Sequence, residues 1–283
     1  MAMVFVLLSA FMFAFNNVLW KQKLIVVKTN TLVAYRAIFT SSITVIITLI
    51  FCESFTITTL DFIKISSGSI LGFIGLWCMI VVISHTSLQW LAVYNLVGVV
   101  LNALYLIAFE SYNLTSFLFG GIFIVFGFIH FVLNQQKSGK SISLRNHLTL
   151  TIMTISFSLS SIIHWENLNS DISPLLILSN QEMIVLFIST LGVMIRREKD
   201  YYIQKFKKYY KSTFFMAIVL VLALLFSLIG LKRTNPLTMS LIVLISPILT
   251  LILNSILLKD KINNACILSV IFILSGAILL EIG

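Results

Sequence analysis

"GGIFIVFGFI" (Gly120–Ile129) and "SVIFILSGAI" (Ser269–Ile278) lie 149 residues apart and match at Ile122/Ile271, Phe123/Phe272, Ile124/Ile273, Gly127/Gly276 and Ile129/Ile278. The same shift carries the first apolar run of the chain onto the sixth, and the fourth onto the ninth. The 283 residues thus read as two copies of one unit. Each copy holds five apolar runs, near 2–20, 30–52, 65–84, 87–109 and 115–134, then 148–166, 173–195, 212–231, 236–258 and 264–281. Crossing the roughly 30 Å hydrocarbon core takes about 20 residues of helix.

Composition supports the same reading. The chain is 59% apolar and 10% charged, where a soluble domain has about 25% charged residues. It lacks the polar groups to cover a water-facing surface. The expected fold is an all-α integral membrane protein of ten transmembrane helices. Five is an odd number, so the second copy enters the membrane from the opposite side, which gives two inverted five-helix repeats. Such repeats are typical of secondary transporters, whose sites lie near the midplane between the halves. The expected units are residues 1–134, a basic connecting loop at 135–147, and residues 148–283.

Lys and Arg alternate with the spans. Fifteen follow spans 1, 5, 7 and 9 (Lys21, Lys23, Lys28; Lys137, Lys140, Arg145; seven within 196–211; Lys259, Lys261), against Lys64, Lys232 and Arg233 on the other side. Positive charge marks the cytoplasmic face, so both termini are expected outside the cytoplasm, in a cell (inner) membrane. The segment "RREKDYYIQKFKKYYK" (Arg196–Lys211) reads as a connection carrying interfacial anchors.

"GLKRTNPLTMSLIVLISPILTLILNSILLKDKI" (Gly230–Ile262) resembles the EamA-type signature of the drug/metabolite transporter superfamily, through Gly230–Thr234, the mid-helix Pro247 and Leu258–Ile262. "LVAYRAIF", around Arg36, is similar to a segment of the same family. Asp260 stands where the family has glutamate, Glu110 lacks the following arginine, and Gly98 falls near the first copy's proline position. The resemblance implies a ten-span carrier. It also implies amino acids or related metabolites as leading substrates, with lipid-linked or nucleotide-linked sugars as a second carrier reading.

The candidate substrate-binding residues are the costly polar ones inside the spans. In "LSNQEMIVLF" (Leu178–Phe187), Asn180, Gln181 and Glu182 interrupt an apolar run, and Glu182 lies about 15 Å deep at 1.5 Å per residue. A carboxyl group there faces either a cavity, binding a cation or a proton, or a partner that holds two helices together. Arg36, about 10 Å deep on the equivalent span, is its candidate partner, or else reaches back to the interface. In span 4, Trp90, Tyr94, Gly98, Asn102 and Tyr105 share one face, with Asn95 at its edge. Span 1 offers Phe13, Asn16, Asn17 and Trp20. Pro247 is a candidate kink or gate, because it frees a backbone carbonyl. Gly68, Gly72 and Gly75, and the small polar residues of span 6, read as close helix packing.

His85, His130, His147 and His164 are scattered, and neither they nor the three cysteines show metal-ligand spacing. No metal or cofactor is expected. Without a phosphate-cradling glycine loop or a nucleophile motif, ATP hydrolysis and enzymatic activity are not expected either. The net charge of +9 belongs to membrane orientation and not to nucleic acid. The expected function is alternating-access transport of a small polar or amphipathic metabolite, with protons as a candidate coupling ion and membrane lipids as surroundings. A non-transporting scaffold or accessory subunit is the alternative of another class.

Overall fold

The computed structural model describes residues 2–24, 27–52, 57–85, 88–110, 118–135, 143–195, 199–258 and 264–282. Among them every element is an α-helix: α1 (Ala2–Leu24), α2 (Thr29–Phe51), α3 (Thr59–His85), α4 (Leu88–Phe109), α5 (Leu118–Gln135), α6 (Leu144–Asn169), α7 (Pro174–Ile195), α8 (Lys199–Arg233), α9 (Pro236–Val243), α10 (Ile245–Leu258) and α11 (Asn264–Ile282). In hydrocarbon a chain must satisfy its own backbone, which the helix does within each segment. Among the described residues six helical segments are long and apolar enough to cross a membrane: Ala2–Trp20, Thr29–Phe51, Thr59–Val82, Leu144–Asn169, Pro174–Ile195 and Phe206–Arg233. Four shorter apolar segments lie at Val97–Phe109, Leu118–Asn134, Pro236–Thr250 and Ile267–Gly276. Phe119, Phe187 and many other large apolar side chains face outward, as a multi-pass membrane protein requires.

Starts and stops follow local chemistry. Pro174 and Pro236 each open a helix, at the one position where a missing N–H and a fixed φ are no handicap. The Asn235 side chain caps α9 by accepting from the Thr238 backbone N–H at 2.9 Å. Between α6 and α7 the chain turns at Asp171, whose φ of 58° is left-handed, a region that Asp tolerates better than most residues.

Two expected boundaries are corrected. The connection expected at 196–211 is helical from Lys199 onward, continuous with the span below it. Nothing in that basic stretch breaks a helix. At 1.5 Å per residue, α8 is about 50 Å long, more than the hydrocarbon needs, so part of it extends beyond the core. Likewise α6 starts at Leu144, inside the expected loop 135–147, because Ser143 caps it by accepting from the Asn146 N–H. Residues 136–142 of that loop lie outside the described residues, as do Arg196, Arg197 and Lys259–Lys261.

The ninth apolar run is broken at Leu244. Pro247 explains the place: its ring clashes with the carbonyl four residues back, that of Val243, and it offers no N–H to it. Replacing Pro247 by Ala is expected to join α9 and α10. Slower amide hydrogen exchange across Ile242–Ile248 in the variant would show it, and unchanged exchange would mean that tertiary packing makes the break.

Packing fixes the rest. The principal contacts are α3 on α6, α11 on α5, α1 on α8, α2 on α7, α2 on α8, α3 on α7, α1 on α10 and α4 on α6 and α9. Along the α3–α6 seam, Gly68, Gly72 and Gly75 receive His164, Ser160 and Phe157 in antiparallel order. Along α5–α11, Gly127 and Gly276 let the two backbones approach closely.

Candidate functional site

Between these helices lies a cavity of about 300 Å³, lined from α1, α2, α3, α4, α6, α7, α8, α9 and α10. Its charged lining residues are Arg36 and Glu182, each 1% exposed. They sit on α2 and α7, which pack side by side, and Arg36 Nη2 donates to Glu182 Oε2 at 3.2 Å. The Thr40 hydroxyl, one turn along α2, donates to the same oxygen. Behind the guanidinium stands the Trp20 ring, with its centroid 5.7 Å away, close enough for a cation–π contact. The pair meets through one carboxylate oxygen, and Arg36 Nε has no partner. A charge pair in the interior loses hydration and regains it only through mutual attraction and added hydrogen bonds. Here Thr40 and Trp20 supply part of that compensation.

Of the "NQE" triplet, Gln181 and Glu182 line the cavity. Asn180, expected there too, is not among the lining residues and turns instead toward α3. Its Oδ1 accepts from the Ser69 hydroxyl at 3.0 Å, and its Nδ2 donates to Ser66 Oγ at 3.3 Å. Successive helical residues point about 100° apart, so α7 spends this run on two neighbours at once.

The polar stripe of α4 divides in the same way. With Tyr94 as zero, Tyr105 lies at about 20°, Gly98 at about 40°, Asn102 at about 80° and Asn95 at about 100° around the helix. Asn95, Gly98 and Asn102 line the cavity. Tyr94 and Tyr105, expected as substrate-binding, turn to α6: the Tyr94 hydroxyl lies 2.9 Å from His147 Nδ1, and the Tyr105 hydroxyl donates to Glu166 Oε1 at 2.6 Å. Tyr105 also borders a separate outer groove between α4 and α6. The helix positions are those the sequence implies; the seam with α6 takes the edge that carries the tyrosines. The Trp90 side chain lies outside the described residues.

Asn16 and Asn102 line the cavity and are 2% exposed. Asn102 Nδ2 donates to the Pro236 carbonyl at 3.2 Å, while its Oδ1, like that of Asn16, has no partner. Pro247 lines the cavity just past the helix break, near Val243 and Ser246. His164, Ser160 and Ser161 line it as well, although the sequence offered no ground for grouping His164 with a site. The signal was its place four residues after Ser160 on one helix face, masked because that face reads equally well as packing. Among the described residues no cluster of His, Cys, Asp and Glu could hold a metal ion.

The model of the EamA-like transporter family matches residues 144–282. A protein of known crystal structure shares the fold with a TM-score of 0.76 at 12% identity, over 99% of this chain and 96% of that one. No curated protein matches the chain.

Proposed function

We propose, from the match of residues 144–282 to the EamA-like transporter family, a secondary carrier that moves a small polar metabolite by alternating access. The family is one of transporters and not of enzymes. The carrier reading rests most on a cavity among the helices that places one cation and one anion, Arg36 and Glu182, on a single wall.

Residues 1–134 and 148–283 are its two inverted repeats, joined through 135–147, and ten helical segments cross the membrane, the ninth broken. The packing supports this arrangement. Moving each helix five spans along turns the α3–α6 contact into α8–α1, α2–α8 into α7–α3, and α4–α6 into the contact of α9 and α10 with α1. The α2–α7, α4–α9 and α5–α11 contacts map onto themselves. Gly127 and Gly276, 149 residues apart, both sit at tight approaches, and Gly98 and Pro247 share the same separation. The Lys and Arg distribution supports non-cytoplasmic termini in a cell membrane.

The substrate is an amino acid or a related zwitterion. Its carboxylate would take donors that Arg36 leaves unused, and its ammonium group would share Glu182. Exchanging an internal ion pair for two pairs with the solute loads the cavity without stranding a charge. A volume near 300 Å³ is at the small end of ligand pockets. It suits such a solute better than a lipid-linked or nucleotide-linked sugar. Protons are a candidate coupling ion through Glu182.

A thermal-shift screen of purified protein against amino acids and related metabolites tests this reading. A bound ligand stabilises the folded state by mass action, about 2.7 kcal/mol at a hundred times Kd, and so raises the melting temperature. At least one zwitterion is expected to stabilise the wild type and to lose that effect in Glu182→Gln. If no compound binds, and the protein instead co-purifies with a stable partner, the scaffold alternative replaces the carrier.

A further inference from the structure

We infer that the cavity reads an uncharged hydrogen-bonding group on its solute, through His164 together with Asn16 and Asn102; the inference rests on the carrier reading and deepens it. His164 is 5% exposed, and both of its ring nitrogens lack a partner. A neutral imidazole offers one donor and one acceptor, and leaving both empty in the interior costs the desolvation of each.

The ring is held in that state by its neighbour. It occupies the space over Gly68, where a Cβ would stand 2.9 Å from its Cε1 and 3.1 Å from its Nδ1. The side chain is therefore seated, on the lining of the cavity, with its polar edges unspent. Asn102 repeats the pattern: the bond from its Nδ2 to the Pro236 carbonyl fixes which end of the amide stays free, and the free Oδ1 is an acceptor. Asn16 Oδ1 is a second unpaired acceptor from α1.

These groups come from α1, α4 and α6, whereas the ion pair comes from α2 and α7. α4 packs on α6 and α9, and α2 packs on α7 and α8. The lining thus carries its charged pair on α2 and α7 and its unpaired uncharged hydrogen-bonding groups on α1, α4 and α6. A solute matching both carries a zwitterionic head and a side group that both donates and accepts, such as a hydroxyl or a carboxamide. An aliphatic side group would leave the imidazole and both amide oxygens unpaired, and sites built to bond a polar group reject its apolar analogue for that reason.

Shape-matched pairs give the test: L-threonine against L-valine, and L-asparagine against L-leucine, by equilibrium exchange in proteoliposomes. Exchange depends neither on the protein's orientation nor on a gradient of a coupling ion. In the wild type each polar member is expected to exchange at least about tenfold faster than its partner. His164→Phe should bring both ratios to within about twofold of unity, and His164→Gln, which keeps a donor and an acceptor, should leave them intermediate. Gly68→Ala, which displaces the ring without altering it, should lower both ratios. Wild-type ratios near one, or ratios unchanged in His164→Phe, overturn the inference and leave the carrier reading standing. If His164→Phe does not purify as a folded protein, unchanged ratios in both His164→Gln and Gly68→Ala overturn it. Exchange of none of the four overturns the amino-acid reading and this inference with it.

Discussion

Arg36→Met and Glu182→Met are each expected to destabilise the protein by about 3–5 kcal/mol, while the double variant recovers most of that loss. Each single change strands one charge that is 1% exposed. With Arg36 gone, the described partner of Glu182 is the Thr40 hydroxyl; with Glu182 gone, Arg36 keeps the Trp20 ring. Neither contact neutralises a charge. Removing both charges removes the desolvation cost along with the attraction, so two well-packed apolar side chains restore stability. The double-mutant cycle, read by denaturant or thermal unfolding in one detergent, should therefore show strong coupling between the positions. Transport separates the roles, since the double variant is expected to be stable and inactive. Additive losses would mean that the two charges do not depend on one another. An active double variant would move the site elsewhere in the cavity.

The second large effect is a contrast between two glycines. Gly276→Ala would place a Cβ 2.6 Å from the Gly120 carbonyl oxygen, 2.6 Å from Ile124 Cγ1 and 3.0 Å from the Ile124 nitrogen. Two of these atoms are backbone, so no rotamer change makes room and α5 must move away from α11. Overpacking of this kind costs about 1–3 kcal/mol. Gly192→Ala, in the last turn of α7, meets nothing within 4 Å. There the usual advantage of Ala over Gly in a helix applies, about 0.5–1 kcal/mol of stabilisation. The same chemical change is expected to lower the melting temperature at one site and raise it at the other. A neutral Gly276→Ala would show that the α5–α11 seam yields easily.

Much of the molecule was legible before folding because membrane helices obey a local rule. Backbone satisfaction and apolar length are properties of one segment at a time, so the apolar runs mark the helices closely, and Pro247 marks a break within one turn. The boundaries that moved, at Lys199 and Leu144, are places where a helix runs past the apolar segment. Hydropathy registers where hydrocarbon ends, and the helix stops only where its capping and backbone chemistry stop it.

The candidate site was legible by depth and cost, not by direction. Glu182 and Arg36 stood out because an ionisable group inside a span is expensive, and they are indeed the charged pair on the cavity wall. Helical periodicity placed Tyr94, Tyr105, Asn102 and Asn180 on faces, but a face has no meaning until its neighbour is known. Once α6 lies against α4, the tyrosines belong to that seam; once α3 lies against α7, Asn180 belongs to Ser66 and Ser69. His164 shows the converse, a residue whose sequence signal reads equally well as packing and that becomes notable because Gly68 receives its ring and nothing takes its nitrogens. The sequence by itself determined that the chain is helical, membrane-embedded and burdened with two deep charges, since each of these follows from composition and spacing along one dimension. Which polar groups meet one another and which are left empty toward the cavity was decided only by tertiary structure, because that depends on which helix fills the space each side chain enters.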